Sequence, residues 1–152
     1  VAIDPCQNPD GAERFAVWVN SNRGRFPASE PIDREHQSPW WSGRTNHYGF
    51  DLNRDWLVAT QPETQGRLQW YYRLQPNLLV DFHEMSASQS IFFQPGVDGR
   101  DHHLTPPYVR QATSDIAALF ARTLDQHSQR YFTRERFDDF YPGKGSTFPD
   151  LQ

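Results

Sequence analysis

Residues 78–83 read Leu78-Leu79-Val80-Asp81-Phe82-His83, and the fold class turns on this run. Apart from Asp81 it is continuously apolar up to its last residue, as a strand buried on both faces of a parallel sheet is. Upstream lies a helical pattern over residues 60–74. Thr60 and Glu63 have capping-box spacing, Pro62 falls in the first turn, and Leu68, Tyr71, Tyr72 and Leu74 give it an apolar side. Pro76-Asn77 ends that pattern. Downstream, Ile91-Phe92-Phe93 reads as a second short strand ended by Pro95-Gly96. A second helix is expected over residues 107–129, where Val109, Ala112, Ile116, Leu119, Phe120 and Leu124 recur at helical spacing. Alternating helices and strands predict an α/β fold, part of a mixed, mostly parallel sheet flanked by helices.

The flanks are less regular. Val1-Ala2-Ile3 is expected to be a short strand, and Asp4-Pro5 and Asn8-Pro9-Asp10-Gly11 carry turn chemistry. Residues 12–19 fit a helix or a strand. Residues 20–48 have no period and read as a long surface loop, the kind that is usually functional or disordered. After Tyr131 the chain reads as loop again, with Pro142, Gly143 and Gly145.

Composition narrows the function classes. A length of 152 residues suits one domain, and 15 Lys+Arg against 19 Asp+Glu give a net charge of −4, which argues against a nucleic-acid surface. No apolar run approaches the roughly 18 residues of a membrane span, and no signal peptide is visible. Cys6 is the single cysteine, so neither an internal disulfide nor a cysteine-rich zinc site can form. Aromatic residues at 14% are too many for a disordered chain.

Three groups of residues suggest chemistry. His83 ends the predicted strand, where ligands bind in open α/β sheets, and a neutral imidazole oriented by a carboxylate is a good zinc ligand. Taken alone, a histidine there is more often simply hydrogen-bonded. Within Gly49-Phe50-Asp51-Leu52-Asn53-Arg54, Asn53 and Arg54 offer a carboxamide and a planar guanidinium to one anion. Arg44, ten residues earlier, brings a second guanidinium suited to a developing oxyanion. His102 and His103 read as surface residues.

Together these residues resemble the zinc carboxypeptidases, the metallopeptidase family of pancreatic carboxypeptidase type, in a bacterial-like form. The resemblance rests on Asn8-Pro9-Asp10-Gly11, Arg44 followed by Gly49 to Arg54, Asp81-Phe82-His83, and Phe140-Tyr141-Pro142-Gly143-Lys144-Gly145-Ser146. It implies a zinc-carboxypeptidase-like fold, a Zn2+ cofactor with His83 as a ligand, and a peptide substrate with a free C-terminal carboxylate bound by Asn53 and Arg54. Arg44 is implied to polarise the scissile carbonyl, and Tyr141 to close over the substrate from a loop that differs by small insertions and deletions. Thr147, Phe148 and Pro149 are candidates to line the specificity pocket.

The departures are equally specific. The family's first zinc ligands lie in an H-x-x-E motif upstream of N-P-D-G, and none of the six histidines has a glutamate three positions on. Its general-base glutamate follows the tyrosine loop on a later strand. The expectation is therefore a fragment, residues 1–152 of one peptidase catalytic domain, lacking the N-terminal part and the final strand and helix. Such a fragment is expected to be inactive by itself and to self-associate through uncovered strand edges. Two alternatives stand beside this reading. One is a non-catalytic carboxylate-binding member. The other is a zinc deacylase resembling succinylglutamate desuccinylase and aspartoacylase, although these usually continue with Phe-Pro-Gly where Asp55-Trp56-Leu57 stands here. The resemblance favours a secreted or periplasmic location.

Overall fold

The computed structural model describes residues 1–39, 41, 43–84, 90–135 and 140–152. Among these residues, three α-helices and a two-stranded parallel sheet make it mixed α/β. The chain divides into two compact units, Val1–Pro76 and Asn77–Gln152.

The first unit begins irregularly. Val1 and Ile3 are exposed and belong to no strand, which corrects the strand expected there. Nothing on residues 1–3 gives a strand partner, but the segment behind them is anchored. Arg67 faces Asp4 at 3.8 Å, donates to Gln7 O at 3.4 Å, and covers the Trp56 ring at 4.8 Å. Helix α1, Pro9–Asn22, takes in the N-P-D-G stretch and settles the ambiguity over residues 12–19. The residue types of a turn are also those of a helix start. Asn8 is the N-cap and its Oδ1 accepts from Gly11 N at 3.0 Å, while Pro9 occupies the first turn and Asp10 puts negative charge at the positive end. Asn8 Nδ2 also donates to Gly43 O at 3.2 Å. A Cβ on Gly11 would meet that same carbonyl at 2.5 Å, so the close approach requires glycine.

Helix α2, Pro62–Leu74, matches its expectation, but its start is built differently. Gln61 is the N-cap without a side-chain cap bond, and Thr60 turns to Asp55 instead of Glu63. Its end carries Gln75 in the left-handed region at φ 45°, donating back to Tyr71 O at 2.8 Å, with Pro76 beyond. The buried residues of this unit are mostly polar, with Asn46, Asp55, Gln61 and Thr64 beside Leu52 and Trp56.

In the second unit, residues 78–83 form no strand among the described residues. The expected buried strand is therefore corrected: Leu78, Val80 and Phe82 are exposed, because a strand needs a neighbour and none is beside it among the described residues. Strand β1, Ile91–Phe92, pairs in parallel with β2, Tyr131–Phe132, at Ile91↔Tyr131 and Phe92↔Phe132. Sequence reading missed β2, which is only two residues long. The Phe92 and Phe132 rings stack across the pair at 5.4 Å. Helix α3, Pro107–Gln126, ends three residues before the expected boundary and packs Phe120 edge-on against Phe93 at 5.6 Å. A mostly parallel sheet flanked by helices is thus reduced, among the described residues, to this one pair.

Candidate functional site

Arg44, Asn53 and Arg54 lie together in the first unit, on a loop whose shape is set by two side chains. Asn46 is fully buried. Its Oδ1 accepts from Tyr48 N at 3.0 Å and Phe50 N at 2.9 Å, so the side chain takes the place of a backbone carbonyl inside the turn. Its Nδ2 donates to Gln61 Oε1 at 2.8 Å and Glu63 Oε2 at 3.3 Å, fastening the turn to the start of α2. Thr45 and Asp51 close the turn as an antiparallel bridge. Gly49 supplies the positive φ of 83° that the turn requires.

Asp51 then organises the candidate residues. Its Oδ1 accepts from Asn53 N at 2.9 Å and so caps the 3-10 helix Leu52–Arg54. Its Oδ2 accepts from Arg44 Nε at 2.9 Å and lies 2.9 Å from Arg44 NH2. One carboxylate thus holds Arg44 and the Asn53 backbone in register. The Arg44 side chain remains half exposed. Arg54 is exposed and donates to Asn53 O at 2.7 Å, which turns its guanidinium along the loop.

Asp55 supports the loop from behind. Its Oδ1 accepts from Thr60 N at 2.9 Å and from the Thr60 hydroxyl at 2.7 Å, and its Oδ2 accepts from Gln61 N at 2.9 Å. Burial raises its pKa, but the bonds from Thr60 and Gln61 outweigh burial and hold the carboxyl below its ordinary value. Sequence reading assigned no role to Asn46, Asp51 or Asp55. For Asp51 a signal existed, since an aspartate two residues ahead of Asn53 has the spacing of a side-chain-to-backbone cap.

His83 and Tyr141 belong to the second unit. His83 Nε2 lies 2.9 Å from Asp81 Oδ2, and the Asp81 side chain is only 8% exposed. A carboxylate in that position orients an imidazole. Among the described residues no group of three or more His, Cys, Asp or Glu could hold a metal ion. A catalytic zinc takes about three protein ligands, so the described residues do not by themselves fit one. Tyr141 is exposed. Its backbone O accepts from the Thr147 hydroxyl at 2.5 Å, which closes the loop carrying it. Gln94 Nε2 donates to Ser146 O at 2.7 Å and ties that loop to the segment after β1. Lys144, Thr147 and Phe148 are buried, so Thr147 and Phe148 hold the loop rather than presenting side chains to solvent. An open groove of about 820 Å³ runs along α1, and none of the five candidate residues lines it. No helix among the described residues is long and apolar enough to cross a membrane.

Comparison with protein-family models, with curated proteins and with solved structures finds no match for this chain.

Proposed function

We propose that this chain carries the substrate-recognition loop of a zinc metallocarboxypeptidase, an enzyme that releases C-terminal residues from peptides. The observation that supports it is the treatment of Asp51. The loop already holds one carboxylate, with Arg44 Nε and NH2 on one oxygen and the Asn53 N–H on the other. In this reading the substrate's terminal carboxylate is bound by the exposed Arg54 guanidinium and the Asn53 carboxamide, and charge-assisted bonds provide the selectivity. Arg44 is the donor for the polarised carbonyl, and its pairing to Asp51 fixes it in advance. Tyr141 is the phenol that closes over the bound peptide.

His83 is the zinc ligand in this proposal, and Asp81 orients it. No group of three or more such ligands is assembled among the described residues. The zinc would polarise a carbonyl and activate water. The zinc-carboxypeptidase-like sheet and a secreted or periplasmic location go with the same reading.

The test uses a short peptide and its C-terminal amide, titrated against the chain by NMR. The free acid is expected to bind about tenfold more tightly than the amide, the loss of one charge-assisted pair. Arg54→Gln is expected to abolish that difference. Equal binding of acid and amide by the native chain sinks the proposal.

A further inference from the structure

The backbone that carries Arg44 is gripped by two side chains of α1. Asn8, the N-cap, donates from Nδ2 to Gly43 O at 3.2 Å and reaches Arg44 O at 3.5 Å. Arg14, in the second turn of the helix, donates from NH2 to Thr45 O and, at 3.0 Å, to Asn46 O. The carbonyls of residues 43, 44, 45 and 46 thus all accept from α1, and Arg44 lies in the middle of the run.

The residue types suit this task. Carbonyls need donors, and a guanidinium brings several donors in a fixed fork with no acceptor. Asn8 divides its carboxamide, with Oδ1 capping Gly11 N at 3.0 Å and Nδ2 turned to the carbonyls. Gly11, Arg14 and Phe15 follow at spacings of three and four, so they share one face of the helix. That face lies close to the segment: a Cβ on Gly11 would meet Gly43 O at 2.5 Å, and one on Gly43 would meet the Phe15 Cβ at 3.2 Å.

We propose that Asn8 and Arg14 are positioning residues for Arg44: they hold its backbone as Asp51 holds its guanidinium. Asp51 Oδ2 takes Arg44 Nε and NH2 at 2.9 Å each. A long side chain fixed at its tip alone moves with its backbone, and one fixed at its base alone sweeps its tip. With both ends held, Arg44 keeps one direction. The inference rests on the reading of Arg44 as donor to the polarised carbonyl, where a donor placed in advance needs no reorganisation during reaction. Asn8 and Arg14 act through Arg44 and are assigned no contact with the peptide.

Solvent exchange of the Arg44 Nε–H, followed by NMR on the whole chain and assigned by its loss in Arg44→Lys, tests this. Asn8→Asp keeps a cap for Gly11 N and adds negative charge at the helix start, so α1 is not weakened, yet it sets an acceptor against Gly43 O. Arg14→Met removes the bonds to Thr45 O and Asn46 O while keeping an apolar stem. Each is expected to speed the Arg44 exchange about tenfold, the loss of one or two hydrogen bonds. Arg14→Lys keeps a cationic donor and should recover part of the protection. Ala16→Gly loosens the same helix at an exposed position and should leave the exchange at its native rate. Native exchange in Asn8→Asp overturns the proposal, and does so even where Arg14→Met fails to fold. So does an Arg14→Lys variant that exchanges as fast as Arg14→Met, or an Ala16→Gly variant that matches Asn8→Asp. No peptide enters the measurement, so a chain that shows these rates but binds acid and amide equally sinks the carboxypeptidase reading alone.

Discussion

Removing the Asp55 carboxylate tests whether the loop that bears Arg44, Asn53 and Arg54 is held from behind as described. Asp55 is buried and receives hydrogen bonds from Thr60 N, the Thr60 hydroxyl and Gln61 N at 2.7–2.9 Å. Hydrogen bonds to an ionised group contribute about 1.5–3 kcal/mol each, and a helix cap about 1 kcal/mol. They share one acceptor group and do not add, so Asp55→Ala is expected to cost about 3 kcal/mol in total. That is a large part of the roughly 5–15 kcal/mol that holds a domain folded. At this chain length it lowers Tm by about 6–12 °C. Asp55→Asn keeps the shape but sets an amide against donors, so it should lose much of the same stability.

The pH dependence is a separate check. The folded carboxyl has a lowered pKa, so the unfolded chain binds the proton more tightly. The stabilisation is therefore complete above the ordinary carboxylate range and is lost as pH falls through the depressed folded value. Thermal unfolding followed by circular dichroism, from pH 7 downward, should show a flatter acid limb for Asp55→Asn than for the native chain. A variant with native Tm and an unchanged acid limb refutes the role assigned to Asp55.

Gly49→Ala places a side chain at φ 83° against the Trp41 ring, and chemical denaturation should register a loss of about 1–2 kcal/mol. Asp150 behaves oppositely to Asp55: burial, then the neighbouring Asp101, pushes its pKa up to about 6. The folded state holds that proton more tightly, so Asp150 costs stability as pH rises from the ordinary range through about 6. Asp150→Asn should therefore raise Tm at pH 7.5 and change it little in acid. Asp51→Asn keeps an acceptor for Asn53 N while releasing Arg44 from its ion pair, and the peptide acid should then bind more tightly in the NMR titration if Arg44 can take up a carboxylate. His83→Ala should reduce zinc uptake in equilibrium dialysis and lower Tm, since it removes the partner 2.9 Å from the largely buried Asp81 carboxylate.

Helices were legible where the signal is local. The spacing of Leu68, Tyr71 and Tyr72, or of Ile116 and Phe120, needs no distant partner to be read, and α2 and α3 follow it. The N-P-D-G stretch reads as a turn and is the start of α1, because Asn and Pro favour both. Only the partner, Gly11 N rather than a turn residue, decides between them. Residues 78–83 show the opposite limit. Their apolar pattern specifies a strand, yet a strand exists only with a neighbour, and that information is not local. For the site, Arg44, Asn53 and Arg54 could be picked out by residue type. Of the groups that set their geometry, Asp51 has the local spacing of a cap on Asn53 N, whereas Asn46 could not be picked out, since its role depends on which backbone donors lie beneath it.

The loop's construction bears on how it recognises a ligand. A guanidinium on an exposed loop loses side-chain entropy when it binds, which is why isolated surface pairs contribute little. Here the ordering is done beforehand. Asp51 fixes Arg44, Asn53 O fixes Arg54, and Asn46 fixes the turn that carries both. The arrangement also sets a threshold. A ligand that engages Arg44 must share or displace Asp51, whereas one that engages Arg54 displaces only a bond to a neutral carbonyl. The two arginines of one loop are thus unequal. In the proposed carboxypeptidase reading, Arg54 would bind an incoming carboxylate, and Arg44 would donate to an oxygen that gains charge later, when it can compete with Asp51.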